Sequence, residues 1–420
     1  MLKIFVRDWA NIEYMNKTLQ ILDITTTTVD TDLYNITAIN RKRDPYWVEF
    51  IQPYFQEIEV DIKILSLDKI DLKKNWIINV DINMWNWDNF QRDIFEKFDP
   101  VIKQELKTGN AYIILNHQCE SNTKIFFDIL YRKFIDVPYY KIIYMVAAAD
   151  AEEIYRDYVL RNSIPKEKQI HILYSHHVYK RFMHDVDLES FKYSNVKKIK
   201  KFISLNRRLR EHRVMLVSML SYKNLLEHGF VSLGIMPDEI IQARQMLVNE
   251  NMTTGFEKIQ KYLPLQIDDV DLAINQFGMN SLPITFYQHS CFSVVSSTMA
   301  LAEQERSVGF TEKEIKPILA KHPFLIWNRP GVLKHLKSMG FLTFEPWFDE
   351  SYDIEPDDHK RLEKIINEIQ RLCSYSFDQW DNILDEMKPV LDHNYNRMVN
   401  HTNQHCFFNS DLKKLLYYVS

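Results

Sequence analysis

The residues Thr311, Glu312 and Lys313 open an amphipathic stretch that runs into a short apolar segment, FLIW. A helix that begins here places carboxylates near its positive N-terminal end, where they are stabilised. Such a carboxylate could accept two hydrogen bonds from a ribose diol, while Lys313 or Lys316 could neutralise a phosphate. The same residues also fit a capping box, with Thr311 as the N-cap and Glu314 at the third helical position. Both interpretations stay open, since Glu314 can cap the helix while Glu312 faces a ligand.

A second charged group, NRRLREHR at 206–213, follows a predicted strand and leads into a predicted helix. Arginines are unfavourable at a helix N-terminus because the helix dipole repels cations there. A bound anion removes this conflict, and an arginine can hold a diphosphate through two parallel hydrogen bonds. We therefore take Arg207 and Arg208 as candidate phosphate ligands. The alternative is a solvated basic face, or ion pairs with Glu211.

Polar residues also follow a predicted strand in the N-terminal half, in AYIILNHQCES at 111–121. A general base is expected in a loop of this kind, facing the other half of the chain. Glu120 is our candidate base and His117 the second candidate, and ordinary loop polarity is the alternative for each. Three aspartates in or after other predicted strands are weaker candidates: Asp8, Asp81 and Asp150.

Motifs for several other chemistries are missing or weak. The chain has 8 glycines and contains neither Gly-x-Gly-x-x-Gly nor a Walker A sequence, which disfavours dehydrogenases and P-loop NTPases. Its 4 cysteines are widely spaced, which argues against a zinc site and a disulfide framework. Asp-x-Asp triplets could hold a metal against a diphosphate, but in an acidic chain their number is near chance. They are Asp30/Asp32, Asp185/Asp187 and Asp269/Asp271.

Apolar runs and amphipathic stretches alternate in both halves of the 420-residue chain, which is long enough for two domains. The predicted strands are 2–6, 62–67, 76–82, 111–117, 141–147, 169–175, 201–206, 230–234, 289–297, 323–328 and 341–346. The predicted helices are 89–109, 151–162, 210–229 with Gly229 as its C-cap, 330–340, 356–373 and 377–391. This alternation predicts an α/β fold with two doubly wound, Rossmann-like domains facing each other across a cleft.

The predicted domains are 1–180 and 201–395, joined by a linker at 181–200 and followed by a C-terminal helix at 396–420. The net charge of −5 does not attract nucleic acid or anionic membranes, so such a contact needs a local patch. The sequence shows no signal peptide and no apolar run long enough to span a membrane, so we expect a cytoplasmic protein. Abundant Lys, Ile, Asn, Tyr and Phe suit an AT-rich genome, such as that of a virus or a low-GC bacterium.

Two blocks resemble GT-B type glycosyltransferases of phages and bacteria. They are KFISLNRRLREHRVMLVSMLSYKNLLEHGFVSLG at 201–234 and VGFTEKEIKPILAKHPFLIWNRPGVLKHLKSMGFLTFEPWFDESYD at 308–353. The Thr-Glu-Lys start is similar to the donor-binding motif of α1,3-fucosyltransferase-like enzymes. The resemblance implies that the C-terminal domain binds a nucleotide-sugar donor of UDP or GDP type without a metal. It further implies that Glu312 holds the ribose, and Lys313 with Arg207 or Arg208 the diphosphate.

By the same resemblance the N-terminal domain binds the acceptor and supplies the base, which removes a proton from the acceptor hydroxyl. Hydroxymethylated cytosine in DNA would suit the phage-like composition and the basic stretch at 197–213. A surface glycan is the rival acceptor. Two other hypotheses stay open: a metal-dependent transferase that uses an Asp-x-Asp pair, and a catalytically silent nucleic-acid-binding or virion protein with the same fold.

Overall fold

The computed structural model describes most of the C-terminal half of the chain and a part of the N-terminal half. The described residues are 18–23, 61–64, 70–73, 75–81, 100–117, 123–133, 137–146, 148, 150–174, 196–267, 284–298, 300–301, 308 and 310–403. Several predictions lie outside them: the strand at 2–6, most of the linker, Asp8, Glu120, the Asp-x-Asp triplets and the chain after 403.

A sheet of six parallel strands forms in the N-terminal half. The strands are β1 (Thr18–Asp23), β2 (Asp61–Ile64), β3 (Trp76–Asp81), β4 (Ala111–His117), β5 (Ile142–Val146) and β6 (His171–Tyr174), in the order β2-β1-β3-β4-β5-β6. Three helices accompany them: α1 (Pro100–Thr108), α2 (Thr123–Lys133) and α3 (Ala151–Arg161). The apolar runs of the sequence predict every one of these strands except β1. In the core, Phe126 of α2 stacks on Tyr144 of β5 with ring centroids 4.0 Å apart.

A second parallel sheet, of four strands, forms in the C-terminal half. Its strands are β7 (Lys200–Ser204), β8 (Gly229–Val231), β9 (Ser290–Ser296) and β10 (Phe324–Trp327), in the order β10-β9-β7-β8. The helices here are α4 (Glu211–Tyr222), α5 (Ile240–Gln245), α6 (Glu250–Ile259), α7 (Ile284–Gln288), α8 (Glu312–Leu319), α9 (Val332–Ser338), α10 (Asp358–Ser374) and α11 (Phe377–Asn403). The predicted α/β class with two parallel sheets is confirmed.

Three predicted elements differ from the structure. Gly229 does not cap a helix: α4 ends at Tyr222, and Gly229, with φ −123°, is the first residue of β8. The predicted strand at 341–346 is wrong because side chains take its backbone groups: Leu342 N–H donates to Asn394 and Phe344 N–H to Glu350. The helix predicted at 377–391 continues to Asn403, so the boundary predicted at 396 falls inside α11.

Strand order places a reversal in each sheet. In the C-terminal sheet, β8 is added on one side of β7, whereas β9 and β10 are added on the other side. The direction in which successive strands are added therefore reverses between β7 and β9. The corresponding reversal of the N-terminal sheet lies between β1 and β3. In open α/β sheets, ligands bind in the crevice at the carboxyl ends of the strands where this change occurs. The loops after β7 and β9 are therefore the place to look for a site.

The two halves touch at the carboxyl ends of their strands. Asp150 follows β5 and accepts a hydrogen bond from the backbone N–H of Val308, which lies between β9 and α8 (3.0 Å). Tyr174, the last residue of β6, packs against the hydrophobic core of the C-terminal half. These contacts bring the carboxyl edges of both sheets to one interface. Within the described ranges, no helix has the length and apolar character needed to cross a bilayer.

Candidate functional site

The N-terminus of α8 is closed by a complete capping box. Thr311 has extended backbone geometry, and its hydroxyl accepts the N–H of Lys313 (3.3 Å). One carboxylate oxygen of Glu314 accepts both the backbone N–H of Thr311 (2.7 Å) and its hydroxyl (2.8 Å). The capping interpretation of Glu314 is therefore confirmed. Glu312, the first residue of the helix, takes no part in this capping box.

The second carboxylate oxygen of Glu314 joins this helix to the ends of two strands. It accepts the hydroxyl proton of Ser297, which follows β9, and the amide of Asn328, which follows β10, approaches it at 3.5 Å. Asn328 also donates to the hydroxyl oxygen of Ser297 (2.9 Å). Burial raises the pKa of Glu314, which is only 1% exposed. This buried cluster therefore fixes where α8 begins relative to the sheet.

Glu312 and Lys313 form an ion pair at the same helix end. The ammonium of Lys313 donates to Glu312 at 2.7 Å and to the hydroxyl of Thr298 at 3.1 Å. Burial by itself would raise the pKa of Glu312, but Lys313, with Lys316 nearby, outweighs it and holds that pKa below its usual value. Glu312 is therefore an ionised carboxylate held beside two cations. The exposed fractions of the paired side chains, 17% for Glu312 and 24% for Lys313, keep the pair open to one side.

The loop between β7 and α4 presents Arg207 and Arg208 as exposed side chains on a fixed backbone. The carbonyl of Asn206 accepts the N–H of Gly234 (2.8 Å), and its own N–H donates to the hydroxyl of Ser232 (2.9 Å). A Cβ on Gly234 would lie 2.0 Å from the carbonyl oxygen of Arg207, so only glycine permits this close approach. The loop after β8 therefore braces the loop that carries the two arginines.

His212, in the first turn of α4, links the two helix ends, and the sequence reasoning missed it. Its Nε2 lies 2.6 Å from the carbonyl oxygen of Ser297. Burial, together with the positive charges of Arg213, Arg210 and Lys313, lowers the pKa of His212 to about 3, and the hydrogen bond to Ser297 only partly opposes this shift. Ser297, which follows β9, contacts His212 of α4 through its carbonyl and Glu314 of α8 through its hydroxyl. The N-termini of the two helices therefore meet around the end of β9. The only sequence signal was a histidine beside the arginine cluster.

Two buried polar atoms lie at the carboxyl ends of β7 and β9. The side-chain oxygen of Asn206 and the hydroxyl of Ser296 find no hydrogen-bond partner among the residues that the structure describes. Asn206 is 0% and Ser296 3% exposed, and each lies at or just beyond the carboxyl end of its strand. An unsatisfied buried polar atom costs about 1–3 kcal/mol. Polar groups are therefore concentrated at the same end of the sheet as the helix N-termini.

On the N-terminal side, His117 ends β4 with an enclosed imidazole. It is 2% exposed, its Nδ1 lies 2.8 Å from the hydroxyl of Tyr144, and Phe126 packs beside it. Burial lowers the pKa of His117 to about 3, so it is neutral and weakly basic at pH 7. This is the setting of a core histidine, and we rank His117 behind Glu120 as the base. Glu120 itself lies outside the described residues, so its role stays a prediction.

Asp150 stands where the two halves meet. It precedes α3 in the N-cap position, yet its side chain makes no capping bond to that helix and instead accepts the N–H of Val308. Burial raises the pKa of Asp150, while the bond from Val308 and the charges of Arg329 and His335 oppose that shift. The sequence placed Asp150 at a strand end but did not show that it contacts the other half.

Among the described residues, no cluster of three or more His, Cys, Asp and Glu side chains is arranged to hold a metal ion. Of the predicted site residues, the structure brings Glu312, Lys313 and Lys316 together. It places Arg207 and Arg208 at the same edge of the C-terminal sheet. It leaves His117 in the core of the other half.

No protein-family model and no curated protein matches the chain. Among solved structures, it is similar to a trehalose-6-phosphate synthase studied for glycosyl transfer with retention (14% identity, 82% of this chain and 74% of that one, TM-score 0.41). It is also similar to the DNA-modifying enzyme beta-glucosyltransferase, whose substrate is uridine diphosphoglucose (10% identity, 96% and 99% coverage, TM-score 0.38). A third match is a mutant of the T4 phage protein BGT in complex with UDP-glucose (9% identity, 94% and 99% coverage, TM-score 0.34).

The names of these neighbours are those of glycosyl-transferring enzymes, and none is a fucosyltransferase. At such low identities and TM-scores these matches carry no argument about the chemistry of this chain.

Proposed function

We propose that this protein is a glycosyltransferase that moves a sugar from a nucleotide-sugar donor to an acceptor hydroxyl. One observation carries the proposal. At the switch point of a parallel sheet, an ionised carboxylate and a lysine stand at one helix N-terminus, beside a second helix N-terminus preceded by arginines. This combination offers hydrogen-bond acceptors for a sugar diol and positive charge for a diphosphate.

Positive charge at the helix N-termini would hold the negatively charged donor. A nucleotide sugar carries its negative charge on the diphosphate, and that charge increases as the sugar departs. The N-termini of α4 and α8 contribute partial positive charge, and Lys313, Lys316, Arg207 and Arg208 contribute full charges. Glu312 would accept hydrogen bonds from the ribose of a UDP- or GDP-sugar, releasing Lys313 toward the phosphates. The buried side-chain oxygen of Asn206, which has no hydrogen-bond partner among the described residues, supports a polar ligand at this end of the sheet.

Fixed side-chain cations can stabilise the leaving diphosphate without a metal ion. We therefore propose a metal-independent reaction. A transferase that uses an Asp-x-Asp pair would lose its activity in EDTA, whereas the proposed enzyme would keep it.

The acceptor half requires a base. We propose that Glu120 removes the proton from the acceptor hydroxyl while its oxygen forms a bond to the sugar carbon and the bond to the diphosphate breaks. His117 is the second candidate, although its low pKa makes it a poor proton acceptor. Glu120→Gln should abolish transfer without weakening donor binding, and full activity in that variant would remove Glu120 from the mechanism.

For the acceptor, we propose a hydroxymethylated cytosine in DNA, with a surface glycan as the other outcome of the test. The basic stretch supports only a local contact. Lys198 and Lys201 are buried and donate to the carbonyls of Gln288 (2.8 Å) and Tyr375 (2.6 Å). Of the exposed cations, Lys197 is the candidate for a contact to a phosphate backbone, since Arg207 and Arg208 are assigned to the donor diphosphate. Transfer to DNA should fall steeply with added salt, whereas transfer to a neutral glycan should not.

A thermal-shift panel of UDP, GDP, CMP, ADP and TDP tests the proposal directly. At least one nucleoside diphosphate should raise the melting temperature, because a ligand that binds only the folded state stabilises it. Glu312→Ala should reduce the shift, while Glu363→Ala, an exposed glutamate on α10, should not. No shift with any nucleotide, together with no donor hydrolysis, would favour a catalytically silent nucleic-acid-binding or virion protein.

A further inference from the structure

The backbone of Val308, which precedes α8, is bound from the other half of the protein. Val308, three residues before the N-cap Thr311, is 3% exposed and belongs to the hydrophobic core of the C-terminal half. Its backbone N–H is bound by Asp150, 158 residues earlier in the chain. The start of α8 is thus located by two carboxylates: Glu314 from within the helix, and Asp150 from the N-terminal half.

Asp150 occupies the N-cap position of α3, but its carboxylate does not cap that helix. An aspartate at a helix N-cap normally accepts the N–H of the second or third helical residue. The carboxylate of Asp150 gives up this stabilisation of α3 and binds Val308. Arg329, which follows β10, and His335 of α9 lie close enough to influence its charge, so Asp150 sits among groups of the C-terminal half.

We infer that Asp150 is a positioning residue for the donor site, which holds Val308 ahead of the capped start of α8 and so couples donor binding to the contact between the two halves. The inference rests on the proposed function, since it takes Glu312 and Lys313 as donor ligands. The bond at Val308 lies close to the proposed donor ligands, because Val308 is five residues from Lys313 and the capping box makes the start of α8 rigid. A nucleotide that binds at this helix end would bind most tightly when Val308 is held in place.

Two substitutions separate this role from a role in proton transfer. Asp150→Asn keeps a carbonyl oxygen that can accept the N–H of Val308 but removes the charge. Asp150→Ala removes the acceptor. If Asp150 positions the segment, Asp150→Ala should weaken UDP or GDP binding about tenfold and raise the KM for the donor, while Asp150→Asn keeps both within about threefold. Asp157→Ala, an exposed aspartate about two turns further along α3, is the matched control and should change neither.

Amide hydrogen exchange supplies a readout that does not depend on nucleotide binding. Exchange at the N–H of Val308 should accelerate in Asp150→Ala and stay slow in Asp150→Asn and Asp157→Ala. Unchanged exchange and unchanged UDP and GDP affinity in Asp150→Ala would overturn the inference. So would an Asp150→Asn variant that binds nucleotide normally but has lost turnover, because that result would assign Asp150 to the chemistry.

The two proposals fail in different ways. If the wild-type protein binds neither UDP nor GDP, the proposed donor site is wrong, and a positioning role toward that donor is overturned with it. The exchange data at Val308 then still show whether Asp150 holds the segment. If the wild type binds nucleotide and Asp150→Ala binds it equally well, only the positioning role is lost.

Discussion

Glu314 accepts both the backbone N–H and the hydroxyl of Thr311, and with its other oxygen it accepts the hydroxyl of Ser297. A local capping box and a tertiary contact thus share one buried carboxylate. Glu314→Ala should lower the free energy of unfolding by about 3 kcal/mol, because several buried donors would lose their acceptor. Glu314→Gln, which keeps one carbonyl oxygen, should lower it by less. Urea denaturation measures both, and exposed Glu363→Gln should stay within about 0.5 kcal/mol of wild type. A Glu314→Ala protein as stable as wild type would show that the cluster contributes nothing.

The two exposed arginines should affect binding but not stability. Replacing Arg207 and Arg208 together by alanine removes charge from the N-terminal side of α4, and the affinity for UDP or GDP should fall at least about tenfold. The free energy of unfolding should change by less than about 0.5 kcal/mol because both side chains are exposed. Lys223→Ala, an exposed cation at the opposite end of α4, is the matched control for lost charge. Isothermal titration calorimetry measures the affinity of each variant for UDP or GDP. Equal affinities in the double variant and the control would show that the arginines are not part of the site.

Gly234 and Gly255 separate a general packing defect from a defect of the site. An added Cβ would lie 2.0 Å from the carbonyl oxygen of Arg207 at Gly234, and 1.9 Å from that of Ser218 at Gly255. Alanine at either position should therefore cost about 2 kcal/mol or more, as the backbone must shift. Only Gly234→Ala should also weaken nucleotide binding, because only it displaces the arginine loop. Binding is compared at a temperature where both variants are folded, and equal losses would contradict a brace specific to that loop.

The buried histidines make stability depend on pH. Burial lowers the pKa values of His117, His212 and His322 to about 3, from an ordinary value of 6.5. Between these values the unfolded chain binds more protons than the folded one, so stability is complete above pH 6.5 and is lost as the pH falls toward 3. Each histidine should add about 2 kcal/mol to the loss between pH 7 and pH 5.

His322→Gln tests this prediction in the C-terminal half. His322 contacts the hydroxyl of Ser293 (2.8 Å) and the carbonyl of Ser290 (2.9 Å), so the variant should be less stable at both pH values. Its loss of stability between pH 7 and pH 5 should nevertheless be smaller than that of the wild type by about 2 kcal/mol. Denaturation curves at both pH values give the difference, and an identical pH dependence would show that His322 is not a source of it.

The strands and the capping box were accessible from the sequence because their signals are local. Short apolar runs such as AYIILNH mark buried strands, and the spacing of Thr311 and Glu314 marks a helix start. The segment at 341–346 has the same apolar character, yet Asn394 and Glu350 bind its backbone and keep it out of the sheet. Gly229 failed as a helix cap for a similar reason, since pairing with Phe202 places it in a strand. In each failure, a distant partner outweighed a local preference.

The sequence by itself determined the α/β class, the alternation of elements and the residue types at the candidate donor site, because periodicity and capping depend on near neighbours in the chain. Only the tertiary structure decided that Arg210 and Lys313 meet around His212, that His117 is enclosed in the core, and that Asp150 binds Val308. These relationships join residues tens to more than a hundred positions apart. Strand order and packing set them, and no pattern of neighbouring residues encodes which loops come to share one edge of a sheet.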